Sequence, residues 1–443
     1  MLKNMPRTLI EQTINQIGQK VQVAGWINSK RDHGQMVFID LRDKSGILQI
    51  VAGKNQAQDL REEDVVCVQG QIKNRPPQME NPDIQTGKIE LEAEKITVLS
   101  KAATLPFALK DVPSLSLPVL LDFRPLTLRS ERVKAILTIQ EVVIDSFRQT
   151  MKRLGFFEFQ APAIVPTATE GGAEVFKIDY YGHNAYLAQS PQMYKQIMVG
   201  AFERVFTVTK AYRAEPSYTT RHLSEYVSLD AEMGFIDSWE DLMAVCEIVI
   251  RDMWSALEQK CPKELSLFGV TLPILSNNPL PKIKMRQAQE IIFQRTGRDN
   301  RNEPDLTPED EKEICLWSKE NYHSDIIFIT HYPRSKRPFY TQEDPSDPQY
   351  TLSFDILCAG LEITTGGQRI NDYQRLLQNI KEWGNTPNDF RFYLQAFQYG
   401  MPPEGGFAFG AERLVKQILQ LENLREANAF PRDMGRIDNR LNG

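Results

Sequence analysis

Residues 212–225 read YRAEPSYTTRHLSE and combine two arginines and a histidine with two glutamates around a Pro-Ser-Tyr turn. Two short strands joined by this loop would aim Arg213, Arg221 and His222 into one pocket. A guanidinium group donates hydrogen bonds in pairs at a fixed geometry, which suits phosphate oxygens. The glutamates would be out of place in a simple anion site, but they fit a ligand that also offers an amino group or a metal ion. A nucleoside triphosphate with magnesium meets both conditions.

A second informative segment lies near the C-terminus, where residues 405–414 read GGFAFGAERL. Glycine lets the backbone approach a flat ligand closely. Arg413 lies where a helix would begin, and the N-terminus of a helix favours anions. The sequence contains neither a Gly-x-Gly-x-x-Gly loop nor a Gly-Lys-Ser/Thr loop. The nucleotide-binding folds built on parallel sheets therefore receive no support.

Both segments resemble motifs of the class II aminoacyl-tRNA synthetases. Residues 212–225 resemble motif 2 of that family, and residues 405–414 resemble its motif 3. Pro162 follows a strand pattern at 156–160 and lies where motif 1 places a proline of the dimer interface. One such motif would be a weak signal, but three in the family's order are specific. The resemblance implies an α+β fold, a catalytic domain with an antiparallel sheet flanked by helices, and a homodimer.

Composition sets only wide limits on the protein class. The 443 residues are 41% hydrophobic and 25% charged, which is ordinary for a globular protein of two or three domains. The net charge of −6 does not advertise a nucleic-acid binder, although a large acidic enzyme can carry a local basic face. The five cysteines are scattered without a close pair, so no zinc site or disulfide framework follows. Without a signal core or a membrane-length apolar run, we expect a cytoplasmic protein that does not enter a membrane.

Short strand patterns fill the first hundred residues. They cover 21–26, 35–41, 46–52, 65–71 and 89–99. Five strands in this length predict a small closed barrel, and the oligonucleotide-binding (OB) fold is the natural candidate. We predict an OB-fold anticodon-binding domain at 1–100, a Pro-containing connector or hinge at 101–128, and the class II catalytic domain at 129–443.

Two helices stand out in the predicted catalytic domain. Apolar residues recur at helical spacing from Val133 to Met151, which predicts a long helix that belongs to motif 1 and packs at the dimer interface. Thr307 followed by Pro308 predicts the N-terminus of another helix. This second helix lies in residues 262–325, which offer few chemical candidates and are interpreted as an insertion or a flanking helical layer.

Three residues of the predicted barrel are candidates for binding the anticodon. Phe38 and Gln49 lie on neighbouring strands, where an aromatic ring can stack on a base and an amide can read its edge. Taken alone, Phe38 would be assigned to the barrel core in preference to a binding surface. Aspartyl-type members of the family hold the central anticodon base with a Phe and a Gln at this spacing, and this resemblance favours binding. Asn28 lies where the family partly reads tRNA choice, but it is neither the tryptophan nor the histidine associated with the two behaviours.

Three further segments, 189–195, 228–233 and 353–369, resemble the amino-acid pocket of the aspartyl-type members. The resemblance assigns Arg369 to the substrate's side-chain carboxylate, as a bidentate fork. It assigns Lys195 to a second positive charge and Asp230 to holding both cations in place. The full set that it implies for aspartate is Glu170, Ser190, Gln192, Lys195, Arg213, Asp230, Thr365 and Arg369, with Glu170 and Gln192 on the α-ammonium group.

The same resemblance implies ATP and Mg²⁺. The residues implied for ATP are Arg213, Glu215, Arg221, His222, Leu223, Tyr226, Glu362, Gly410 and Arg413, with Glu215 on the adenine amino group and Tyr226 on its ring. Asp355 and Glu362 supply hard oxygen ligands for Mg²⁺, together with Thr365, where the family commonly has serine. Arg213 and Arg413 are the catalytic candidates. The reaction needs no protein nucleophile, so catalysis is positioning and charge stabilisation.

Lys195 and Asp230 decide the predicted amino acid. A site for asparagine, whose side chain is neutral, should not offer two cations, and asparaginyl members lack this lysine and have glutamate in place of Asp230. We therefore predict that the protein activates L-aspartate with ATP to aspartyl-adenylate and transfers it to the 3′ end of tRNA(Asp). The compact chain resembles the archaeal-type aspartyl members, some of which also charge tRNA(Asn), so tRNA(Asn) stays open as a second substrate.

Three alternatives remain. An asparaginyl-tRNA synthetase is disfavoured by Lys195 and Asp230. A stand-alone amidating ligase on the same core would have no use for an anticodon-binding barrel. A non-catalytic, regulatory paralogue should have lost its charged site residues, whereas Arg213, Arg369 and Arg413 are all present.

Overall fold

The computed structural model describes residues 5–167, 174–216, 219–276 and 279–441. The chain divides into two compact units, Met1–Ala108 and Leu109–Gly443. The division lies within the predicted connector, which is partly ordered into a 3₁₀ turn at Leu109–Ser114 and two short helices. Within the described ranges, every helix is too short or too polar to span a lipid bilayer.

The first unit is a closed five-stranded barrel. Its elements are β1 (Lys20–His33), β2 (Met36–Arg42), β3 (Ile47–Gly53), α1 (Lys54–Ala57), β4 (Val65–Asn74) and β5 (Ile89–Ser100), with 3₁₀ turns at Ile10–Asn15 and Pro77–Met79. The strand order around the barrel is β1-β2-β3-β5-β4, in which only the β3–β5 pair is parallel. Alternate residues such as Val37, Ile39 and Leu41 point into an apolar core. The predicted OB-fold barrel is confirmed.

The second unit is built on one eight-stranded sheet. The strands of this unit are β6 (Phe157–Glu158), β7 (Ile164–Val165), β8 (Lys177–Tyr180), β9 (His183–Leu187), β10 (Arg204–Tyr212), β11 (Glu225–Gly234), β12 (Lys282–Lys284), β13 (Ile326–Thr330), β14 (Glu343–Asp344), β15 (Asp347–Thr351), β16 (Ser353–Cys358), β17 (Leu361–Gln368) and β18 (Glu404–Gly410). Strands β14 and β15 form a separate two-stranded sheet, and β7, β9 and β8 form a three-stranded sheet. The order in the large sheet is β12-β13-β16-β17-β18-β11-β10-β6. The central pairs are antiparallel, as predicted, and only the two outermost pairs are parallel.

Helices cover both faces of this sheet. They are α2 (Leu117–Asp122), α3 (Arg124–Thr127), α4 (Glu131–Arg153), α5 (Gln192–Phe202), α6 (Glu240–Lys260), α7 (Pro262–Phe268), α8 (Met285–Thr296), α9 (Pro308–Tyr322), α10 (Tyr373–Glu382), α11 (Arg391–Gln398) and α12 (Ala411–Leu419), with 3₁₀ turns at Arg334–Lys336, Pro387–Phe390 and Leu424–Ala427. On one face, α4, α6 and α12 share an apolar core that includes Phe147, Val249 and Leu414. The predicted long helix is α4. Its N-cap is Ser130, whose hydroxyl accepts a hydrogen bond from the Val133 amide.

Within residues 262–325, α8 and α9 pack together as a flanking helical layer, as interpreted from the sequence, while β12 joins the edge of the large sheet. Helix α9 begins with Pro308 after the N-cap Thr307, which confirms the predicted helix start. The Thr307 hydroxyl accepts from the Asp310 amide at 3.3 Å. The loop before α9 also lines a cavity of this unit, through Asp305.

Candidate active site

A cavity of about 520 Å³ opens on the sheet face opposite the α4–α6–α12 core. On β11, the cavity residues Ser228 and Asp230 alternate with the core residues Leu229 and Ala231, as the period of a strand requires. The predicted residues that line the cavity are Ser190, Gln192, Lys195, Arg213, Glu215, Arg221, His222, Leu223, Tyr226, Asp230, Asp355, Glu362, Thr365, Arg369, Gly410 and Arg413. The structure thus brings together all the predicted small-molecule residues that it describes. Glu170 lies outside the described residues.

The motif 2 loop, within residues 212–225, joins the antiparallel strands β10 and β11, which pair up to Tyr212 and Glu225. In this loop, the carboxylate of Glu215 lies between the side chains of Arg213 and His222. Glu215 Oε1 is 3.7 Å from Arg213 Nη1, and Glu215 Oε2 is 3.6 Å from His222 Nε2. The Arg213 guanidinium lies over the Tyr226 ring, 5.7 Å from its centroid. One carboxylate therefore orients two of the predicted phosphate-binding side chains.

His222 is held toward its neutral form. Burial lowers the pKa of His222, and the positive charges of Arg413, Arg221 and Arg213 act in the same direction, while Glu215 opposes them. A neutral imidazole can still donate one hydrogen bond to a phosphate. The positive charge at this end of the cavity therefore comes from the three arginines.

Arg221 forms an ion pair with Glu311 of α9. Burial raises the pKa of Glu311 to about 7, and the nearby Glu362 contributes in the same direction, while Arg221 and Arg413 lower it. Glu311 could not be expected from the sequence, because it lies far from motif 2 along the chain and in a segment without motifs. The flanking layer is therefore part of the site.

Motif 3 forms strand β18 and the start of α12. Gly410 is the N-cap of this helix, and Arg413 lies in its first turn. Arg413 Nη1 donates to the backbone oxygen of Glu362 at 3.1 Å and to Glu362 Oε1 at 3.3 Å. The preceding residue, Glu412, accepts a hydrogen bond from the Val227 amide at 3.0 Å. Burial raises the pKa of Glu412 to about 7.

Two carboxylates and a hydroxyl meet on the neighbouring strands β16 and β17. Asp355 pairs with Thr365 across the strands, and Thr365 Oγ1 donates to Glu362 Oε1 at 3.0 Å. Arg337 Nη2 donates to Asp355 Oδ1 at 2.8 Å. Burial raises the pKa of Asp355 to about 6, with Glu362 adding to the effect and Arg337 opposing it.

Glu362 behaves differently from Asp355. Burial raises the pKa of Glu362, but Arg413 and Arg337 more than offset this, so its pKa lies below the usual value. In the described part of the chain, no group of three or more His, Cys, Asp or Glu forms a complete metal site. Two carboxylates with a hydroxyl still suit a hard divalent cation that takes its other ligands from a bound phosphate and water.

The floor of the cavity holds a buried charge cluster. Arg369 Nε donates to Glu232 Oε1 at 2.7 Å, and Arg369 Nη2 donates to the carbonyl oxygen of Gly406 at 3.0 Å. Lys195 Nζ lies 3.1 Å from Asp230 Oδ1 and 3.1 Å from Glu232 Oε2. Arg369 and Lys195 lower the pKa of Glu232 against the effect of burial, so this residue is an anion. The cluster presents two cations to the cavity with their counter-ions beside and behind them.

The cluster corrects one detail of the sequence interpretation. The resemblance implies that Asp230 holds both cations, but among the described residues Asp230 forms an ion pair with Lys195 and not with Arg369, while Glu232 bridges Lys195 and Arg369. Asp230 and Glu232 are two residues apart on β11 and therefore share one face of the strand. That spacing was the signal by which Glu232 could have been found.

Phe38 and Gln49 lie on the outer face of the barrel wall, where Phe38 is half-buried and Gln49 is covered by its neighbours. Phe38 alternates with the core residues Val37 and Ile39, so its half-buried ring points outward and does not fill the core. Gln49 lies on the adjacent strand, where its Nε2 donates to Glu90 Oε2 at 2.8 Å. An outward ring beside an ordered amide is suited to stacking on a base and reading its edge.

Asn28 occupies an irregularity in β1. The pairing with β2 shifts register between Ile27 and Ser29, which leaves Asn28 as an extra residue. Such a bulge redirects a side chain. Asn28 Oδ1 accepts from Arg42 Nη1 at 3.1 Å, and Arg42 is itself paired with Glu63 at 2.7 Å.

Comparison with known proteins agrees with this geometry. The family described as "tRNA synthetases class II (D, K and N)" matches residues 116–434, and an "OB-fold nucleic acid binding domain" matches residues 21–99. The chain belongs to the class II tRNA synthetases. The predicted family and fold class are confirmed, and with them the expectation of an aminoacyl-tRNA ligase.

Relatives of this synthetase cover almost its whole length. An "Aspartate--tRNA(Asp/Asn) ligase" of Aeropyrum pernix is 41% identical, with 95% of this chain and 96% of the relative covered. An "Aspartate--tRNA(Asp) ligase" of Thermococcus kodakarensis is 39% identical, with 95% and 96% covered. Among solved structures, asparaginyl-tRNA synthetase from Pyrococcus horikoshii complexed with asparaginyl-adenylate has a TM-score of 0.89 and is 31% identical, with 98% and 100% covered.

Pro162, the predicted dimer-interface residue of this synthetase, is exposed in the loop between β6 and β7. Two exposed aromatic rings of the same unit, Phe157 and Phe202, stack with centroids 4.1 Å apart. An exposed apolar surface of this kind is compatible with a subunit contact. The dimer itself stays a prediction.

Gly406 makes the charge cluster of the synthetase possible. A Cβ atom placed on Gly406 would lie 2.0 Å from Glu232 Oε2 and 2.2 Å from the carbonyl oxygen of Ala231. We expect Gly406→Ala to lower the melting temperature, because overpacking typically costs about 1–3 kcal/mol. It should also raise the KM for the amino acid about tenfold, because Glu232 must move. Thermal unfolding and substrate titration measure the two effects.

Gly200 provides the matched control on helix α5. A Cβ there would meet only the Met401 methyl at 3.7 Å, an ordinary contact. Gly200→Ala should leave the KM unchanged and, since alanine favours a helix, should not lower stability. Equal behaviour of the two alanine variants would show that the space at Gly406 is not needed.

Proposed function

We propose that the protein is an aspartate–tRNA ligase that forms aspartyl-adenylate from L-aspartate and MgATP and transfers the aspartyl group to the 3′ end of tRNA(Asp). The observation that carries the amino-acid assignment is Arg369, which is buried at the floor of the cavity with its guanidinium held from behind. Its Nε and Nη2 contact Glu232, Gln192 and Gly406. Among the described residues, none is a hydrogen-bond partner of Nη1, which is left for a substrate carboxylate.

Lys195 has a different task in this proposal. Its ammonium group already faces Asp230, Glu232 and the carbonyl oxygens of Ala231 and Phe407. It therefore acts on a substrate through its charge, at a distance, and not as a free donor. In a site with little water, this charge still favours an anionic side chain over a neutral amide.

The remaining cavity residues suit the activation step. The substrate's α-carboxylate would attack the α-phosphate of ATP in line, the bond between the α- and β-phosphates would break, and pyrophosphate would leave. Arg213 would bridge the carboxylate and the α-phosphate as negative charge builds up. Arg221, His222 and Arg413 would hold the other phosphates. Neutral His222 would add a hydrogen bond without further charge.

Asp355, Glu362 and Thr365 would hold Mg²⁺. The oxygen donors of these side chains fit this ion, and Mg²⁺ characteristically binds one or two carboxylates together with substrate phosphates. The bound ion supplies charge neutralisation of the phosphates. Arg337 offsets the charge of Asp355 beside it, which keeps the two carboxylates in one buried place.

Exchange of labelled pyrophosphate into ATP tests the activation step directly. We expect exchange that depends on aspartate and is at least about a hundredfold weaker with asparagine, since mispairing a buried charge costs about 3–5 kcal/mol. Equal or stronger exchange with asparagine would make the protein an asparaginyl enzyme. Absence of exchange with both would favour a non-catalytic paralogue.

The barrel would bind the anticodon through Phe38 and Gln49, and Asn28 would take part in tRNA choice. We expect Phe38→Ala to raise the KM for tRNA(Asp) about tenfold or more, because stacking on a base contributes about 1–3 kcal/mol. Pyrophosphate exchange, which needs no tRNA, should be unchanged. Steady-state aminoacylation measures the first quantity.

Ile17→Ala, at an exposed apolar residue of the same unit, is the control for Phe38→Ala and should affect neither assay. An unchanged KM for tRNA in the Phe38 variant would remove this residue from the anticodon site. Attachment of aspartate to tRNA(Asn) by the same enzyme remains part of the proposal as a second reaction. The homodimer, the cytoplasmic location and the domain limits 1–100, 101–128 and 129–443 stay predictions.

A further inference from the structure

A fully buried carboxyl group lies behind the amino-acid subsite and does not line the cavity. Glu404 is the first residue of β18, and its side chain is inaccessible to solvent. Glu404 Oε1 accepts a hydrogen bond from Gln196 Nε2 at 2.6 Å. Its other oxygen, Oε2, is buried, and no hydrogen-bond donor reaches it within the described part of the chain. An ionised carboxylate in this place would be costly.

The orientation of Gln196 fixes which oxygen of Glu404 accepts. Gln196 Oε1 receives hydrogen bonds from Tyr393 Oη at 3.1 Å and from Gln192 Nε2 at 3.0 Å. Its amide nitrogen must therefore face Glu404. Glu404 Oε1 is an acceptor, so a proton on this carboxyl group belongs on Oε2.

The side-chain hydrogen-bond partner available to a protonated Glu404 is the Glu232 carboxylate. Gly234 pairs with Glu404 and Glu232 pairs with Gly406 in the β11–β18 register, so the two glutamates are diagonal neighbours on one face of the sheet. Two carboxylates in contact share one proton. Glu232 is the anion of the pair, because it accepts from Arg369 and lies against Lys195.

We infer that Glu404 is a positioning residue of the amino-acid site: as a neutral acid, it donates a hydrogen bond to Glu232 and thereby fixes the anion that aims Arg369 at the substrate carboxylate. The effect on substrate binding rests on the proposed aspartate specificity, whereas the protonation of Glu404 does not. Burial and the neighbouring Glu232 raise the pKa of Glu404 well above its usual value, in agreement with the geometry.

The proton on Glu404 affects which substrate binds, because it sets the net charge of the amino-acid subsite. The charged groups that face Glu404 are Glu232 from β11 and Arg369 from the end of β17, and the phenols of Tyr340 and Tyr393 lie nearby. With Glu404 neutral, Lys195 and Arg369 are balanced by Asp230 and Glu232. A charged Glu404 would give the site an excess negative charge before substrate binds, which would oppose an aspartate carboxylate.

The test compares the wild type with Glu404→Gln. The amide keeps both contacts, since its oxygen can accept from Gln196 and its nitrogen can donate to Glu232, but it cannot ionise. A raised pKa in the folded state means that wild-type stability is complete below the pKa of the unfolded glutamate and is lost as pH rises toward the folded pKa. The melting temperature of the variant should therefore rise relative to that of the wild type as the pH increases above the pKa of an unfolded glutamate, which is about 4.3.

Other buried acids, such as Glu311 and Glu412, are common to both proteins and cancel in this difference. A melting-temperature difference that does not change with pH would overturn the inference. An infrared difference spectrum of wild type minus variant at neutral pH provides a second readout. It should contain the C=O stretch of a protonated carboxylic acid, and carboxylate bands alone would contradict the assignment.

Kinetics then tests the positioning role. Glu404→Gln should keep the KM for aspartate within about threefold of the wild type, whereas Glu404→Ala, which leaves Gln196 and Glu232 unpaired, should raise it about tenfold with the KM for ATP unchanged. Equal effects on both KM values would indicate a merely structural role. The melting and infrared results do not depend on substrate, so they stand apart from a failure of aspartate activation itself.

Discussion

Arg213→Ala is expected to lower the rate of aspartyl-adenylate formation by about 10²–10³-fold, because a preorganised donor to charge that develops in the transition state is typically worth this much. The Arg213 side chain lines the cavity and is oriented by Glu215 and the Tyr226 ring. The loss should fall on the maximal exchange rate more than on the KM for ATP, because Arg221, His222 and Arg413 would still hold the nucleotide. Pyrophosphate exchange at saturating substrates measures it.

The control is Arg204→Ala, at the other end of strand β10. Arg204 is exposed and lies over the Phe156 ring, outside the cavity. This variant should keep nearly wild-type exchange, and both variants should keep the wild-type melting temperature within a few degrees. Near-normal turnover in Arg213→Ala would remove this residue from the chemistry.

The second large effect is expected for Arg369→Ala. The substitution removes the donor proposed for the aspartate side chain and leaves Glu232, which is fully buried, with Lys195 as its remaining cationic partner. Removing one partner of a buried charge pair costs about 3–5 kcal/mol. We expect kcat/KM for aspartate to fall by about two to four orders of magnitude. The melting temperature should also fall.

Arg375→Ala on helix α10 is the matched control. Arg375 also pairs with a glutamate, Glu343, but it is partly exposed and does not line the cavity. Its loss should change kcat/KM for aspartate little. If Arg369→Ala lowered stability but left kcat/KM unchanged, the residue would hold the fold and not the substrate.

Secondary-structure elements that depend on short stretches of sequence could be predicted. The β10–β11 hairpin follows from its loop composition, α4 from apolar spacing, and the start of α9 from Thr307 and Pro308. The five barrel strands follow from alternation and turns. The cavity residues could be placed together because the three motifs of the resemblance each fix their own local geometry and occur in the family's order.

Contacts made by folding alone could not be predicted. Glu311 reaches Arg221 from a helix in another part of the chain, and Arg337 reaches Asp355 from a 3₁₀ turn. Neither ion pair can be predicted from a local sequence pattern, because the partners lie in separate segments of the chain. Glu404 is a harder case, because an isolated glutamate before two glycines gives no sign that it will be buried.

Two signals were present in the sequence but were not used. The alternation of Val37 and Ile39 with Phe38 already implied that the ring lies outside the barrel. The two-residue spacing of Asp230 and Glu232 implied that both carboxylates face the cavity side of β11. In each case the period of a strand, applied to every residue and not only to the motif, would have given the answer.

The most direct test of the proposed function is aminoacylation of purified tRNA(Asp) and tRNA(Asn) with labelled aspartate and, separately, labelled asparagine. We predict that aspartate is attached to tRNA(Asp), with or without attachment to tRNA(Asn), and that asparagine is attached to neither. Attachment of asparagine to tRNA(Asn) would contradict the account of Arg369 and Lys195 as a site for an anionic side chain.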